Sequence, residues 1–403
     1  MQLKQKTMGV ALSVIGLGMA LPASAIELDF GGFISVGGGI VSDETIDPNV
    51  GYDEDFSFDE DSILGLQTTA PINEQLSFTA QLVARGSEDY NLEAEWAFLQ
   101  FDVNDELVTR AGRLRAPFFA YSESIEVGYS YHWIRPPAEV YRLPFSSIDG
   151  FDVNYTTWVS DDWEVSSQAY VGSYDDDVEI YGQTGDLDLN SGAGLVFTAN
   201  YDWLTLRASV HHAEVSITNS TLEALDSNLR AVPPAAGGPF TSIADKLLID
   251  DTQVLFYETA VTVDYEGVLF IAEWTMLEFD DSAIPDDQGY MISVAKTFGE
   301  FTPHLTFAVQ DTDPDSFSSD TIPCVTTDLC NLQTSVAAFE SEVETHSWVL
   351  GVRWDFMPST AFKFEAQYFD NRDSKSLNSE GTLYTLDALD DGMIYSVVVD
   401  AVF

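Results

Sequence analysis

Basic residues are scarce: Lys and Arg number 16 in 403 residues against 67 Asp and Glu, a formal net charge of −51. That balance excludes a nucleic-acid partner, which needs the opposite sign to neutralise phosphates. Cysteine is nearly absent, with only Cys324 and Cys330, both in one polar stretch. Two cysteines cannot frame a disulfide-rich scaffold, and no Cys/His spacing fits zinc. They either pair in an oxidising compartment, closing a small loop worth about 2 kcal/mol in the chain-entropy model, or stay as loop thiols. Beyond the first 25 residues no apolar run approaches the ~18 residues of a membrane-spanning helix. Catalytic signatures are missing too. None of His132, His211, His212, His304 and His346 sits in a nucleophile motif, and Gly-x-Ser-x-Gly does not occur. Gly37–Gly39 has no following helix to cradle a phosphate. Asp311, Asp313 and Asp315 lack the glycine and the closing glutamate of a calcium loop. The expectation is a protein that is no enzyme and carries no metal or cofactor.

Aromatic residues are plentiful, with 26 Phe, 17 Tyr and 8 Trp, which argues against a disordered acidic chain. The amino terminus reads as an export signal: Lys4 and Lys6, an apolar run from Met8 to Leu21, then Ala23-Ser24-Ala25. The run is short for spanning a ~30 Å hydrocarbon core, so residues 1–25 are expected to be a cleaved signal peptide. The remaining 26–403 would keep 14 basic residues against 67 acidic ones.

Through the rest of the chain the dominant pattern is alternation with period two in segments of about ten residues. Leu76, Phe78, Ala80, Leu82 and Ala84 oppose Gln75, Ser77, Thr79, Gln81 and Arg85; Phe362, Phe364, Ala366 and Tyr368 oppose Lys363, Glu365 and Gln367. Sixteen candidate strands fall near 27–42, 62–70, 75–85, 92–102, 106–113, 150–159, 163–173, 192–201, 203–213, 253–265, 267–280, 288–298, 301–311, 345–356, 360–371 and 392–403. Several connections are short, such as 71–74, 104–105, 160–162, 299–300 and 357–359. They alternate with long ones at 43–61, 114–149, 174–191, 214–252, 312–344 and 372–391. A soluble sandwich has no reason to sort its loops this way, whereas a transmembrane barrel has short turns at one rim and long loops at the other. Trp163, Tyr201, Trp203, Tyr265, Phe298, Phe301, Trp354 and Phe356 flank the short turns, where an interfacial girdle belongs. The fold class is therefore all-β: an antiparallel transmembrane β-barrel of about sixteen strands.

The last strand places Tyr395, Val397, Val399, Ala401 and terminal Phe403 on one face. This ending resembles the carboxy-terminal insertion signal of bacterial outer-membrane proteins. With the strand count, the whole chain after residue 25 resembles the Gram-negative porin superfamily, and the stretch from Gly112 and Arg113 to Tyr141 is similar to porin-like proteins of aquatic proteobacteria. The Pro-Glu-Phe-Gly-Gly signature of the enterobacterial constriction loop is not found. The resemblance implies a bacterial outer-membrane location with lipid and lipopolysaccharide around the barrel. It also implies a homotrimer, assembly through periplasmic chaperones and the barrel-assembly machinery, and a loop after the fifth strand folded into the lumen.

That loop would be 114–149. It is rich in aromatics and carries Pro117, Pro136, Pro137 and Pro144, which stiffen it. Arg110, Arg113, Arg115, Arg135 and Arg142 cluster here, and Arg85 can join them from a strand. A pore constriction is expected with Arg113, Arg115 and Arg135 on one wall and Glu123, Glu126, Glu139 and Asp149 across it, their opposed charges setting up a transverse field. The plainer alternative is that these arginines pair with nearby acids and hold the loop. Arg110 and Arg113 are three apart, so a regular strand turns them to opposite faces; Arg113 with Arg115 is assigned to the lumen and Arg110 to the outside, at a subunit contact. Acidic runs such as Asp53–Asp55, Asp59–Asp61, Asp175–Asp177 and Asp286–Asp287 read as solvated loops that can also hold divalent ions against lipopolysaccharide. The functional expectation is a water-filled channel for passive diffusion of small hydrophilic solutes and ions. Two alternatives are a solute-specific channel for small anions, carboxylates or phosphate, and a structural or adhesive barrel of little conductance.

Overall fold

The structure is a computed structural model and describes residues 28–42, 51–180, 183–282, 284–313, 319–337, 344–372, 375–377, 386–388 and 391–403. The signal peptide assigned to 1–25 lies outside the described residues, as do parts of the long connections.

Sixteen strands close one antiparallel barrel. They are β1 (Asp29–Val41), β2 (Ile63–Pro71), β3 (Leu76–Arg85), β4 (Leu92–Asp102), β5 (Leu107–Arg115), β6 (Ser147–Trp158), β7 (Trp163–Ile180) and β8 (Gln183–Tyr201). There follow β9 (Leu204–Thr218), β10 (Ile249–Tyr265), β11 (Val268–Phe279), β12 (Asp286–Lys296), β13 (Phe301–Asp313), β14 (Glu344–Met357) and β15 (Thr360–Arg372). A two-stranded ribbon of β16 (Lys375–Leu377) and β17 (Leu386–Ala388) precedes the last barrel strand, β18 (Gly392–Val402). Each barrel strand pairs with its sequence neighbours, and β1 pairs with β18 to close the ring. Closure leaves no open edge, which a backbone in hydrocarbon requires. At the seam the Phe403 amide donates to the Gly32 carbonyl at 3.0 Å and the Gly32 amide donates back at 2.8 Å. Phe403 and Tyr395 of the terminal motif both lie exposed on the outer face.

Alternation governs the wall. Along β18, Ser396, Val398 and Asp400 are buried inside while Tyr395 and Val399 are exposed outside. The same phase exposes Leu64 and Leu66, Leu99 and Phe101, Leu195 and Phe197, Ile292 and Val294, and Trp348 and Leu350. Large apolar side chains thus cover the outside and polar ones face inward, the inverse of a soluble protein. The short turns gather at one rim, where rings meet in series: Trp163 on Tyr201 (centroids 5.1 Å), Tyr201 on Trp203 (6.0 Å), Trp203 on Tyr265 (6.2 Å) and Phe301 on Trp354 (5.7 Å).

Three long connections differ from expectation. The stretch from 174 to 191 is largely strand: beyond a register shift at Gly172/Tyr174, Tyr174–Ile180 pairs with Gln183–Leu189, and Asp186–Asn190 goes on pairing with β9, so the sheet extends here. Residues 214–252 and 312–344 contribute helices α1 (Ser220–Ala231), α2 (Thr241–Leu247) and α3 (Thr327–Ala337). Asn219 caps α1 by accepting from the Thr221 amide. Leu222, Leu225 and Leu229 pack with Ile243, Leu247, Leu332 and Val336 into a separate apolar cluster at the long-loop end. A disulfide ties Cys324, just before α3, to Cys330 in the helix's first turns.

Candidate functional site

The lumen is the concave polar surface of the molecule, and the chain between β5 and β6 runs through it. Residues 116–146 leave the wall after Arg115 and cross to the opposite side. The Ala120 amide and the Tyr141 hydroxyl donate to Glu273 on β11 (3.0 and 2.5 Å). His132 bonds Ser293 on β12 (2.9 Å), Trp133 donates its indole N–H to Thr306 on β13 (2.8 Å), and the Ile134 amide donates to Glu365 on β15 (2.7 Å). Arg353 on β14 donates to the carbonyls of Tyr129 and Tyr131 (2.6 and 2.8 Å). Lys363 on β15 donates to the Gly128 and Trp133 carbonyls (2.6 and 2.5 Å) and pairs with Asp400 on β18 (2.8 Å). Arg207 on β9 donates to the carbonyl of Pro117 (2.5 Å) and pairs with Glu258. Turns within the loop pair part of its backbone, and inward side chains of the wall satisfy further groups.

Its aromatics supply the rest of the adhesion. Phe118 meets His211 and Phe256 edge-on (5.0 and 5.7 Å), and Phe119 lies against Tyr141 (4.6 Å). Trp133 and Val140 are fully buried with Leu114, Ile148 and Ile271. Burial pushes the His132 imidazole well below its ordinary pKa, with the charges of His304, Lys363 and Arg353 adding to the shift. The loop thus carries a neutral ring into a buried seam between Ser293 and His304.

The charged residues singled out from sequence fall into separate groups. Arg85, Arg115 and Glu126 meet at one place, with Glu95 of β4 as their common partner: Arg85 pairs with Glu95 and, at 2.7 Å, with Glu126, and Arg115 pairs with Glu95 at 3.3 Å and Glu126 at 3.6 Å. Arg135 pairs with Asp61 (2.5 Å) and donates to Ser396 (3.0 Å). Arg142 pairs with Asp287 and donates to the backbone carbonyl of Glu139, whose own side chain is buried. Glu123 stays largely exposed beside Arg110 (3.6 Å). The two signs therefore interdigitate as ion pairs instead of facing each other across a gap, and the transverse arrangement of opposed walls is not what the side chains form.

Strand phase also corrects the assignment of Arg110 and Arg113. Arg110 lies opposite Gln100 and Asp152, pairs with Asp152 at 2.6 Å, and faces the lumen. Arg113 lies opposite Ala97 and Asp149, on the face that carries Leu99 and Phe151, and pairs with Asp149 at 3.1 Å. The three-residue spacing does separate them, but in the opposite sense. Gly112 between them, at φ +134°, fits where a Cβ would strike the Ala97 carbonyl. Sequence reasoning missed Glu258, Glu273 and Arg353, whose signal was inward phase on strands, the same one that marks Lys363 and Glu365; Glu95 sits at a register shift that phase does not reveal. Asp61 and Asp287, read as solvated acids, instead pair with Arg135 and Arg142. Among the described residues no group of three His, Cys, Asp or Glu is placed to hold a metal ion.

No family model matches the sequence, and no curated protein matches it. Solved structures do resemble it in shape. An anion-selective porin from Comamonas acidovorans superposes with TM-score 0.57 at 12% identity, over 94% of this chain and 99% of that one. OmpF of Salmonella typhi, in a complex with daunomycin, gives 0.57 at 11% identity over 94% and 98%. OmpT, an outer membrane protein of Vibrio cholerae, gives 0.53 at 12% identity over 93% and 97%. What the chain shares with these proteins is the fold, a closed sixteen-stranded antiparallel transmembrane barrel.

Proposed function

We propose that the protein is an outer-membrane porin, a water-lined route by which small hydrophilic solutes and ions diffuse down their gradients. The observation that carries this reading is the reversal of polarity across the wall, apolar outside and polar inside, around a lumen narrowed by its own inserted loop. Such a role needs no catalytic residue and no cofactor. Arg85, Arg115, Arg135, Arg142, Glu123 and Glu126 set the size limit by holding the loop, and the acidic outer connections set the charge preference. The apolar belt and aromatic rim support a place in the outer membrane among lipid and lipopolysaccharide, with export by residues 1–25. A homotrimer and assembly by periplasmic chaperones and the barrel machinery belong to the same proposal. Because Arg135 and Arg142 are each neutralised by an acid, the net charge favours cations over anions.

Single-channel recording of the purified protein in planar bilayers tests the reading. Discrete conductance steps are expected, lowered by polyethylene glycols small enough to enter the lumen and restored by ones too large to enter. A barrel that inserts but never conducts would instead make it a structural barrel sealed by residues 116–146.

A further inference from the structure

On the long-loop side of the inserted chain lies a cavity of about 390 Å³, bounded below by Arg135–Leu143 and on its wall by β13, β14 and β15. Its size falls within the ~300–1,000 Å³ typical of small-molecule sites. We propose that it is a binding subsite for a neutral polyhydroxylated solute, a small saccharide or polyol, captured above the narrowest part of the lumen. This rests on the channel reading only for its purpose; the binding itself does not require conduction.

Charge comes first. The guanidiniums of Arg135 and Arg142 border the cavity from two sides, and each is already matched to a carboxylate, Asp61 and Asp287. An anion would have to compete with those acids, so the site offers directed N–H donors without a net positive charge. Arg142 uses Nε for Asp287 and Nη1 for the Glu139 carbonyl, which leaves its Nη2 outside these bonds.

Hydrogen-bonding capacity comes second. Gln367 points inward from β15 between Glu365 and Phe369, opposite Val349, and is 7% exposed. It lines the cavity, so one buried group presents both a donor and an acceptor there. Gln310 commits its amide nitrogen to Asp287 at 3.1 Å, which leaves its acceptor oxygen outside that bond. A hydroxyl, which donates and accepts at once, is the ligand group that suits such a set, and a site built this way discriminates strongly against analogues lacking it. The third element is shape: Phe369 and Val349, both buried, with Pro136 and Pro137, give apolar surfaces on which the C–H face of a sugar ring can rest.

Isothermal titration of the protein in detergent with glucose, maltose and gluconate tests this, with heat-modifiable gel mobility reporting that each variant is folded. Saturable binding of a neutral sugar is expected, with gluconate no tighter than glucose. Gln367→Leu, which keeps the volume, should weaken sugar binding roughly tenfold, as the loss of one to two hydrogen bonds implies; Phe369→Ala should weaken it as well. Absence of saturable binding by both sugars overturns the proposal. So does gluconate binding tighter than glucose and failing in Arg142→Gln, which would make the site an anion site. Sugar bound in titration by a protein that passes no current would sink the channel reading and leave this one standing.

Discussion

Lys363 has no solvent exposure, and its amine nitrogen is held by Asp400 and by two carbonyls of the inserted loop. Asp400 also accepts from Ser35 on β1 at 2.6 Å, so a single lysine ties β15, β18, β1 and the loop together. Lys363→Met removes one partner and strands the other, which for buried pairs costs about 3–5 kcal/mol. The expected result is a loop released at its far end, read as new protease cleavage within 116–146 and as noisier channel current. Pairing it with Asp400→Asn should recover part of the loss, because the orphaned carboxylate goes too. If the single variant is as protease-resistant as the parent, Lys363 does not hold the loop. The residue scale is also where sequence reading is weakest. Phase tells that Arg110 and Arg113 diverge, but which one enters the lumen is fixed by Asp152, 42 positions away on β6, and no local pattern carries that. Lys363 and Glu365, by contrast, announce themselves as inward charges on an alternating strand.

At the scale of the strand, rings and glycines face each other across the ladder. Phe33 lies opposite Gly65, Phe98 opposite Gly112, His211 opposite Gly194 and His304 opposite Gly351. In each of Gly65, Gly194 and Gly351 a Cβ would overlap the partner ring. The ring occupies the space that a side chain at the glycine would take. Gly351→Val should therefore displace His304 and cost about 1–3 kcal/mol, the usual range for overpacking, seen as a lower midpoint for loss of the compact barrel on heating in detergent. An unchanged midpoint would refute the packing role. The same scale shows why some elements were legible and others not. In 174–191 the inward Leu187 and Leu189 alternate with Asp186 and Asp188, a strand pattern masked by acids of poor strand propensity. The α1 segment carries Asn219 and then Leu222, Leu225 and Leu229 at helical spacing, a signal outweighed by its position in a long polar connection.

The inserted loop also brings a pH dependence. His132 is buried beside Ser293 with its folded pKa held below the free value of ~6.5. A group depressed in this way binds its proton only when released, so the docked state is fully stable above ~6.5 and loses ground as pH falls below it. Between pH 7 and pH 5 the loop should become more protease-sensitive, and His132→Gln should flatten that change. A parent protein that keeps the same cleavage rate over this interval would show that the ring does not couple docking to protons.

Over the whole molecule, charge is sorted by position more than by amount. Arg85, Arg110, Arg115, Arg135, Arg142, Arg207, Arg353 and Lys363 all lie within the barrel, each beside an acid. Much of the excess of acids falls on exposed connections such as Asp53–Asp55 and on the outer end of β7 at Asp175–Asp177. A negative field at the mouth raises the local concentration of cations, and it weakens with salt because the screening length falls from about 30 Å at 0.01 M to about 3 Å at 1 M. Reversal potentials in a KCl gradient should thus report cation preference at low salt that fades towards 1 M. Substituting Asp175, Asp176 and Asp177 by Asn should reduce the low-salt preference and leave the high-salt conductance as it was, since none of the three touches the inserted loop's ion pairs. Anion preference at low salt would mean that the interior arginines, despite their partners, outweigh the mouth, and the order of control between the two regions would have to be reversed.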